Sequence, residues 1–143
     1  MRIIALDYGD SRIGVAISDE LCITSLPLTT IDNSGFEDVL ERIEGLIDKY
    51  DVEEIVVGLP LHMDGSSGER VEVTREFVSR LRQKISVPIF LFDERLSSAE
   101  VERVLLEADL SREKRRQKKD KLAASLILRR YLESHKGGKN SYE

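Results

Sequence analysis

The sequence predicts an α/β fold: a five-stranded mixed sheet in which three antiparallel strands precede alternating helix-strand units, with helices on both faces. Two observations indicate this fold. Three β-like segments come first in the chain, and after them apolar stripes with helical spacing alternate with two short apolar runs. Because right-handed helical crossovers join parallel strands, strands 1, 4 and 5 are expected to run parallel to one another.

The first hairpin carries an acidic residue near its tip. An apolar run over 3–6 ends at Asp7, Gly9 permits a tight turn, and a second apolar run covers 13–17. A buried strand that presents one carboxylate at its end is a common way to place a metal ligand. The same acid can equally begin an ordinary turn, and these residues alone leave both interpretations open.

The later elements follow from periodicity and turn residues. Proline suits the start of an edge strand, apolar spacings of three and four predict helices, and β-branched runs predict strands covered on both faces. In chain order they are an edge strand over 27–31, a helix over 36–50 capped by Ser34, a strand over 54–58, a helix over 74–85, a strand over 87–92, a helix opened by a capping box at 97–100, and a helix from Asp120 to about 133. We expect one domain over 1–133 and a disordered tail over 134–143.

Composition excludes several classes of protein. The chain is 41% hydrophobic and 34% charged, which argues against disorder, and no apolar run approaches the ~18 residues of a spanning helix. Its N-terminal apolar segment is too short for a signal peptide, so a soluble, cytoplasmic protein that makes no membrane contact is expected. One cysteine and two histidines cannot build a zinc site, so any metal would be held by oxygen ligands, which favours Mg²⁺ or Mn²⁺.

Charge is distributed unevenly along the chain. The net charge is −5, yet residues 109–121 contain seven cations against three acids, so this window carries +4 and the rest of the chain −9. A local basic patch on an acidic protein is typical of a restricted contact with a polyanion, although a solvated helical face has the same composition. The candidate nucleic-acid contacts are Arg95, Arg115, Arg116, Lys118 and Lys119.

The predicted topology brings acidic groups to one edge of the sheet. Asp7 ends strand 1, and Asp93 and Glu94 end strand 5; periodicity does not choose between these two. Asp120 joins them if the last helix begins near that edge, although an acid before an apolar run can instead cap its helix, and Glu94 can instead pair with a cation. Clustered carboxylates repel one another unless a divalent cation binds, so the cluster predicts a metal site. Two magnesium ions there could activate a water and stabilise the leaving oxygen of a phosphodiester.

A glycine-rich loop follows the fourth strand. Segment 58–68 holds three glycines, and a loop at the carboxyl end of a parallel strand is the usual position for ligand contact. It lacks the Gly-Lys-Ser/Thr ending of a phosphate-binding P-loop. The candidate substrate contacts in this loop are Gly58, Pro60, Asp64 and Gly65.

Four segments resemble the signature blocks of the YqgF family, also called RuvX, of Holliday junction resolvases and pre-16S rRNA nucleases. They are DYGDSRIGVA, VVGLPLHMDGS, DERLSS and DKLAASLILRRYL, which begin at residues 7, 56, 93 and 120. The resemblance covers 2–132 and implies a ribonuclease H-like fold, metal-dependent phosphodiester hydrolysis, and a bacterial cytoplasmic role in processing the 5′ end of pre-16S rRNA. The partners it implies are pre-rRNA or branched DNA and the ribosomal small-subunit precursor.

The resemblance also implies roles for individual residues. It places the catalytic and metal-binding acids at Asp7, Glu94 and Asp120, with Arg12 and Arg95 in the same blocks. One departure is His62, where the family usually has asparagine. This leaves metal binding intact but changes the hydrogen bonds that the loop can make.

Several functions compete for this sequence. A metal-dependent endonuclease acting on structured RNA leads, with DNA four-way junctions as the second substrate class. A nucleic-acid-binding ribosome-assembly factor without catalysis is the alternative of a different class. An actin- or hexokinase-like ATPase closes two such domains around its nucleotide, for which 143 residues are too few. The oligomeric state stays open, because junction resolvases act as dimers whereas an RNA-processing nuclease can work as a monomer.

Overall fold

One mixed sheet and three helices make up the described part of the chain. A computed structural model describes residues 1–59, 68–93 and 112–136, with the backbone alone for 112–120 and 135–136. In chain order the elements are β1 (Arg2–Tyr8), β2 (Arg12–Ser18), β3 (Ser25–Asp32), α1 (Phe36–Tyr50), β4 (Val52–Leu59), α2 (Glu69–Lys84), β5 (Ile89–Asp93) and α3 (Arg112–Lys136). None of the described helices is both long and apolar enough to cross a membrane.

The sheet has the strand order β3-β2-β1-β4-β5. β2 pairs antiparallel with both β1 and β3, whereas β4 pairs parallel with both β1 and β5. The predicted mixed sheet and the parallel relation of strands 1, 4 and 5 are therefore confirmed. The carboxyl ends of β1, β4 and β5 meet at one edge of the sheet, which we call the carboxyl edge.

Apolar side chains cover both faces of the sheet. Ile4 and Leu6 of β1 belong to the cluster that packs under α1 and α2. Ile3 and Ala5 belong to the second cluster, which packs under α3. Successive side chains of a strand point to opposite faces, so β1 contributes to both layers, as a strand covered on both sides must. We call the side covered by the last helix the α3 face.

The first helix spans the predicted residues, but its cap differs from the prediction. Gly35 rather than Ser34 occupies the N-cap, with a φ of 133°, and no side chain caps the helix. Ser34 Oγ instead donates a hydrogen bond to Asp38 Oδ2 over 3.1 Å. The predicted Ser34 cap is therefore wrong, because the entry into the helix uses a backbone conformation that favours glycine.

The last helix is longer than predicted at both ends. It begins at Arg112 rather than at Asp120 and continues to Lys136. Lysine, arginine, glutamate and glutamine are good helix formers, so the basic segment 112–119 extends the helix although it has no apolar stripe. Asp120 is thus an interior helical residue and not an N-cap. The capping box at 97–100 and the helix it would open lie outside the described residues, and the division into a domain and a tail stays a prediction.

Candidate active site

Asp7 occupies the end of β1 on the α3 face. Ile3 and Ala5 belong to the apolar cluster under α3, and strand alternation places Asp7 on their side of the sheet. The residue is half-buried. Its partner in the register with β2 is Gly14, which carries no side chain. The residue paired with Asp7 on β2 therefore places no side chain beside the carboxylate.

The pairing of β1 with β4 stops just before Asp7. The register between these strands runs from Arg2 opposite Val52 to Leu6 opposite Val57, whereas that between β1 and β2 continues to Tyr8. Gly58 follows in β4 and pairs with Phe92 on its other side. The acid thus lies at the carboxyl edge where two parallel strands cease to pair, a position at which open α/β sheets bind ligands.

Asp93 ends β5 on the face opposite to Asp7. It pairs with Leu59, and both Leu59 and Leu91 belong to the apolar cluster under α1 and α2. Adjacent residues of paired strands share a face, so the register separates Asp93 from Asp7 by the thickness of the sheet. Glu94, which the sequence predicts as a ligand, lies outside the described residues, as does Arg95.

α3 packs on the same face as Asp7. Ala124 and Tyr131 are buried in the cluster that contains Ala5 of β1, together with other residues of the helix. Asp120 lies one helical turn before Ala124, so both positions fall on one side of the helix. The side chain of Asp120 lies outside the described residues.

Tyr131 fastens α3 to the sheet. Its hydroxyl donates a hydrogen bond of 2.5 Å to Glu54 Oε2 of β4, and its ring meets that of Phe92 edge to face at 5.6 Å. Burial raises the pKa of Tyr131 well above its ordinary value, and the hydrogen bond and the charge of Glu54 raise it further. The buried phenol therefore stays protonated and keeps the helix tied to β4.

The turn after Asp7 is shaped by Gly9 and Asn33. A Cβ atom on Gly9 would lie 2.4 Å from the backbone oxygen of Arg12, which requires glycine there. Asn33 Nδ2 donates to the Gly9 carbonyl over 2.9 Å, and its backbone amide donates to the carbonyl of Ser11 over 2.9 Å. The contact joins residues 24 positions apart, so no local pattern indicated the role of Asn33.

Arg70, which also lacks a local sequence signal, contacts the same strand end. Its Nη1 donates to the Asp10 carboxylate and its Nη2 to the Tyr8 carbonyl, the latter over 2.8 Å. The guanidinium carbon lies 5.9 Å from the centre of the Tyr8 ring, which stacks on Phe77 of α2 at 4.2 Å. This side chain therefore connects the first turn of α2 to the residue that follows Asp7.

The other predicted site residues are described only in part. No group of three histidine, cysteine, aspartate or glutamate side chains within the described residues is close enough to hold a metal ion. Arg12 begins β2 opposite Asp32. The predicted contacts Arg115, Arg116, Lys118 and Lys119 lie in the first turns of α3, with only their backbone described. Outside the described residues lie Pro60, His62, Asp64 and Gly65.

Comparison with known proteins identifies the family. The profile of the RuvX family, described as Holliday junction resolvase, matches residues 1–134. The chain belongs to the RuvX family. A relative from Halothermothrix orenii, named as a candidate pre-16S rRNA nuclease, is 56% identical over 132 residues, which cover 92% of this RuvX chain and 94% of the relative. The family resemblance indicated by the four sequence segments is thereby confirmed.

Solved structures share the fold of this RuvX chain. RuvC of Thermus thermophilus matches with a TM-score of 0.60 at 12% identity, over 99% of both chains. The fowlpox virus resolvase, solved with Holliday junction DNA, matches with a TM-score of 0.59 at 11% identity, over 94% of this chain and 98% of that one. At such identities the likeness establishes the fold alone. The fold is ribonuclease H-like, as predicted.

Proposed function

We propose that this RuvX-family protein is a metal-dependent endonuclease that hydrolyses phosphodiester bonds of structured RNA. Its substrate is the 5′ region of pre-16S rRNA within the ribosomal small-subunit precursor, and it acts during ribosome biogenesis in the cytoplasm. The observation that carries this proposal is the position of Asp7 at the carboxyl edge, beside a glycine and on the face covered by α3. Family membership and the name of the Halothermothrix relative support the nuclease activity.

Glu94 completes the site together with Asp7. Asp93 lies with Leu91 on the face of α1 and α2, opposite to the face of Asp7. This position disfavours Asp93 as the second ligand, and the match to the family's sequence block supports Glu94 instead.

Asp120 is the third acid of the site. α3 packs on the face of the sheet to which Asp7 belongs, and Asp120 lies on the same side of this helix as the buried Ala124. This shared face supports Asp120 as a ligand beside Asp7.

The donor set fits hard divalent cations. Carboxylate oxygens gathered at one edge repel one another unless charge is neutralised, and they suit Mg²⁺ or Mn²⁺, for which we expect two ions. When bound, such ions supply an activated water and stabilise the leaving oxygen of the phosphodiester. Asp7, Glu94 and Asp120 would hold them. The residues that position the polyanion are Arg12, Arg95, Arg115, Arg116, Lys118 and Lys119, and those that contact the scissile region are Gly58, Pro60, Asp64 and Gly65.

The test replaces the acids one at a time. Asp7→Asn removes the charge of one ligand with little change in volume, so we expect Mg²⁺-dependent cleavage of a 5′-extended 16S rRNA precursor to fall to background while the melting temperature stays nearly constant. Glu94→Gln should behave in the same way. The matched control is Asp93→Asn on the opposite face, which should retain cleavage. Cleavage that survives Asp7→Asn would contradict the proposal.

A second candidate function is the resolution of DNA four-way junctions. The description of the family as Holliday junction resolvase favours it. A resolvase cuts two strands symmetrically and is expected to be a dimer, whereas the RNA-processing enzyme can be a monomer. Mass in solution and paired cuts on a synthetic junction distinguish the two functions. Binding to both substrates without cleavage, and independent of metal, would instead indicate an assembly factor.

A further inference from the structure

We infer that Arg70 is a positioning residue that holds the strand end carrying Asp7 in its reactive place. This inference rests on the proposed function, since it assigns Arg70 a part in the same reaction. The side chain does not reach the reacting atoms in this role. It acts on the backbone of Tyr8, the residue directly after Asp7, and on the neighbouring hairpin tip.

The need for such a residue arises from the strand register. Pairing between β1 and β4 ends at Leu6, so the last two residues of β1 lie beyond their ladder with β4. The Tyr8 carbonyl accepts a hydrogen bond of 2.8 Å from Arg70 Nη2. The Arg70 guanidinium thus binds β1 at the point where β1 no longer pairs with β4. Among the described residues, this bond adds to the pairing with β2 and to the bond from Asn33 to Gly9 in holding this end of β1.

The contact has the geometry of a two-armed clamp. A guanidinium is planar and rigid, so one group can donate to two acceptors at once, here the Tyr8 carbonyl and the Asp10 carboxylate. Its carbon lies 5.9 Å from the centre of the Tyr8 ring, and that ring stacks on Phe77 of the same helix. Two residues of α2, Arg70 and Phe77, therefore contact Tyr8 of β1.

Helix stability does not account for Arg70. It lies in the first turn of α2, between the acids Glu69 and Glu72, where the helix dipole favours negative charge and disfavours a cation. The ion pair with Asp10 is exposed, with 83% of the aspartate side chain accessible, and such pairs contribute little. Among the contacts that Arg70 makes with the described residues, the bond to the Tyr8 carbonyl and the contact with the Tyr8 ring are the ones that hold the end of β1.

The experiment separates positioning from substrate binding. Arg70→Ala should lower kcat by about 10- to 100-fold with little change in KM, because displacement of a reacting group by about 1 Å costs that much. Arg70→Lys should recover part of that loss, since an ammonium can still donate to the Tyr8 carbonyl although it cannot span both acceptors. Asp10→Ala should lose less, because the bond to Tyr8 remains. The matched control is Arg75→Ala, an exposed cation on the same helix, which should leave kcat unchanged.

Amide hydrogen exchange provides a readout that does not depend on activity. The amides of residues 7–9 should exchange faster in Arg70→Ala than in the wild type or in Arg75→Ala. If the wild type cleaves neither RNA nor junctions, the proposed function fails, while the exchange result still tests the clamp. A raised KM with unchanged kcat in Arg70→Ala would overturn the inference. So would an Asp10→Ala loss as large as that of Arg70→Ala, or unchanged exchange in Arg70→Ala.

Discussion

Gly9 sets the path of the chain directly after Asp7. Its Cα faces the backbone carbonyl of Arg12 at a separation that leaves no room for a methyl group. Because the obstacle is backbone and not the end of a flexible side chain, the turn itself would have to move. The position of Asp7 at the carboxyl edge therefore depends on residue 9 being a glycine, which has no Cβ atom.

Substituting alanine at two glycines should give opposite results. Gly9→Ala should reduce the free energy of unfolding by about 1–3 kcal/mol, because the added carbon forces the backbone apart. Gly45 lies exposed within α1 with no atom within 4 Å of a built Cβ, so Gly45→Ala should stabilise the protein by about 0.5–1 kcal/mol. Urea denaturation of both variants measures the two values. A Gly9→Ala protein as stable as the wild type would contradict the close contact.

At the scale of elements, two side-chain hydrogen bonds attach α3 to the sheet. Ser25 Oγ of β3 donates to the Ser125 carbonyl over 2.9 Å, and Tyr131 bonds to Glu54 of β4. These two bonds tie one helix to strands on both sides of β1. The ring of Phe92, the residue before Asp93, also contacts Tyr131. One tyrosine thus links the helix that carries Asp120 with the strand that leads to Glu94.

The hydroxyl of Tyr131 should contribute to stability in a pH-dependent way. We expect Tyr131→Phe to lower the free energy of unfolding by about 1–2 kcal/mol near neutral pH, because the hydrogen bond to a carboxylate is lost. The folded-state pKa of Tyr131 lies above its ordinary value of 10.0, so the contribution is complete below pH 10 and is lost as pH rises further, while the unfolded tyrosine ionises.

Denaturation curves between pH 7 and pH 11 check this prediction. The difference between the wild type and Tyr131→Phe should shrink above pH 10. Tyr50→Phe, which removes the hydroxyl of a half-buried tyrosine in α1, is the control. A difference that stays constant with pH, or that grows above pH 10, would show that Tyr131 does not act as a buried donor to Glu54.

At the scale of the whole molecule, the described helices divide the charge unevenly between the two faces of the sheet. α1 carries five acids and two cations and α2 three acids and five cations, so their face sums to −1. α3 carries three acids and ten cations, which sum to +7 on the opposite face. A polyanion is therefore attracted more strongly to the α3 side than to the other.

The salt dependence of nucleic-acid binding should reveal which side is used. Replacing Arg115 and Arg116 by alanine should weaken binding and reduce the slope of log K against log salt by about 1–2, since each lost phosphate contact removes roughly 0.7–0.9. Replacing Arg42 and Lys49 of α1 removes the same charge from the opposite face of the sheet and should leave the slope unchanged. Dissociation constants at several salt concentrations give both slopes. Equal effects of the two double variants would refute an oriented contact.

The sequence by itself determined the order of the described elements and the parallel strands, because these depend on the spacing of apolar residues along the covalent chain. It also placed Asp7 at the end of a strand. A segment with helical propensity but no apolar stripe was not predicted as helix. The sequence therefore placed the start of α3 at Asp120, whereas the helix begins at Arg112. Helical propensity without a periodic apolar pattern is a weak signal. The longer helix became evident only in the structure, where the apolar residues that follow segment 112–119 pack on the sheet.

Tertiary structure alone decided which groups share a face. Asp93 belongs to the face of α1 and α2 because it pairs in register with Leu59, which lies 34 positions earlier in the chain. Its strand is covered on both sides, so the sequence shows no alternation of polar and apolar residues from which the face could be predicted. Arg70 likewise meets Tyr8 across 62 positions. Local patterns report covalent spacing, whereas the surroundings of Asp7 depend on which strands stop pairing beside it and on which helix then reaches the backbone of Tyr8.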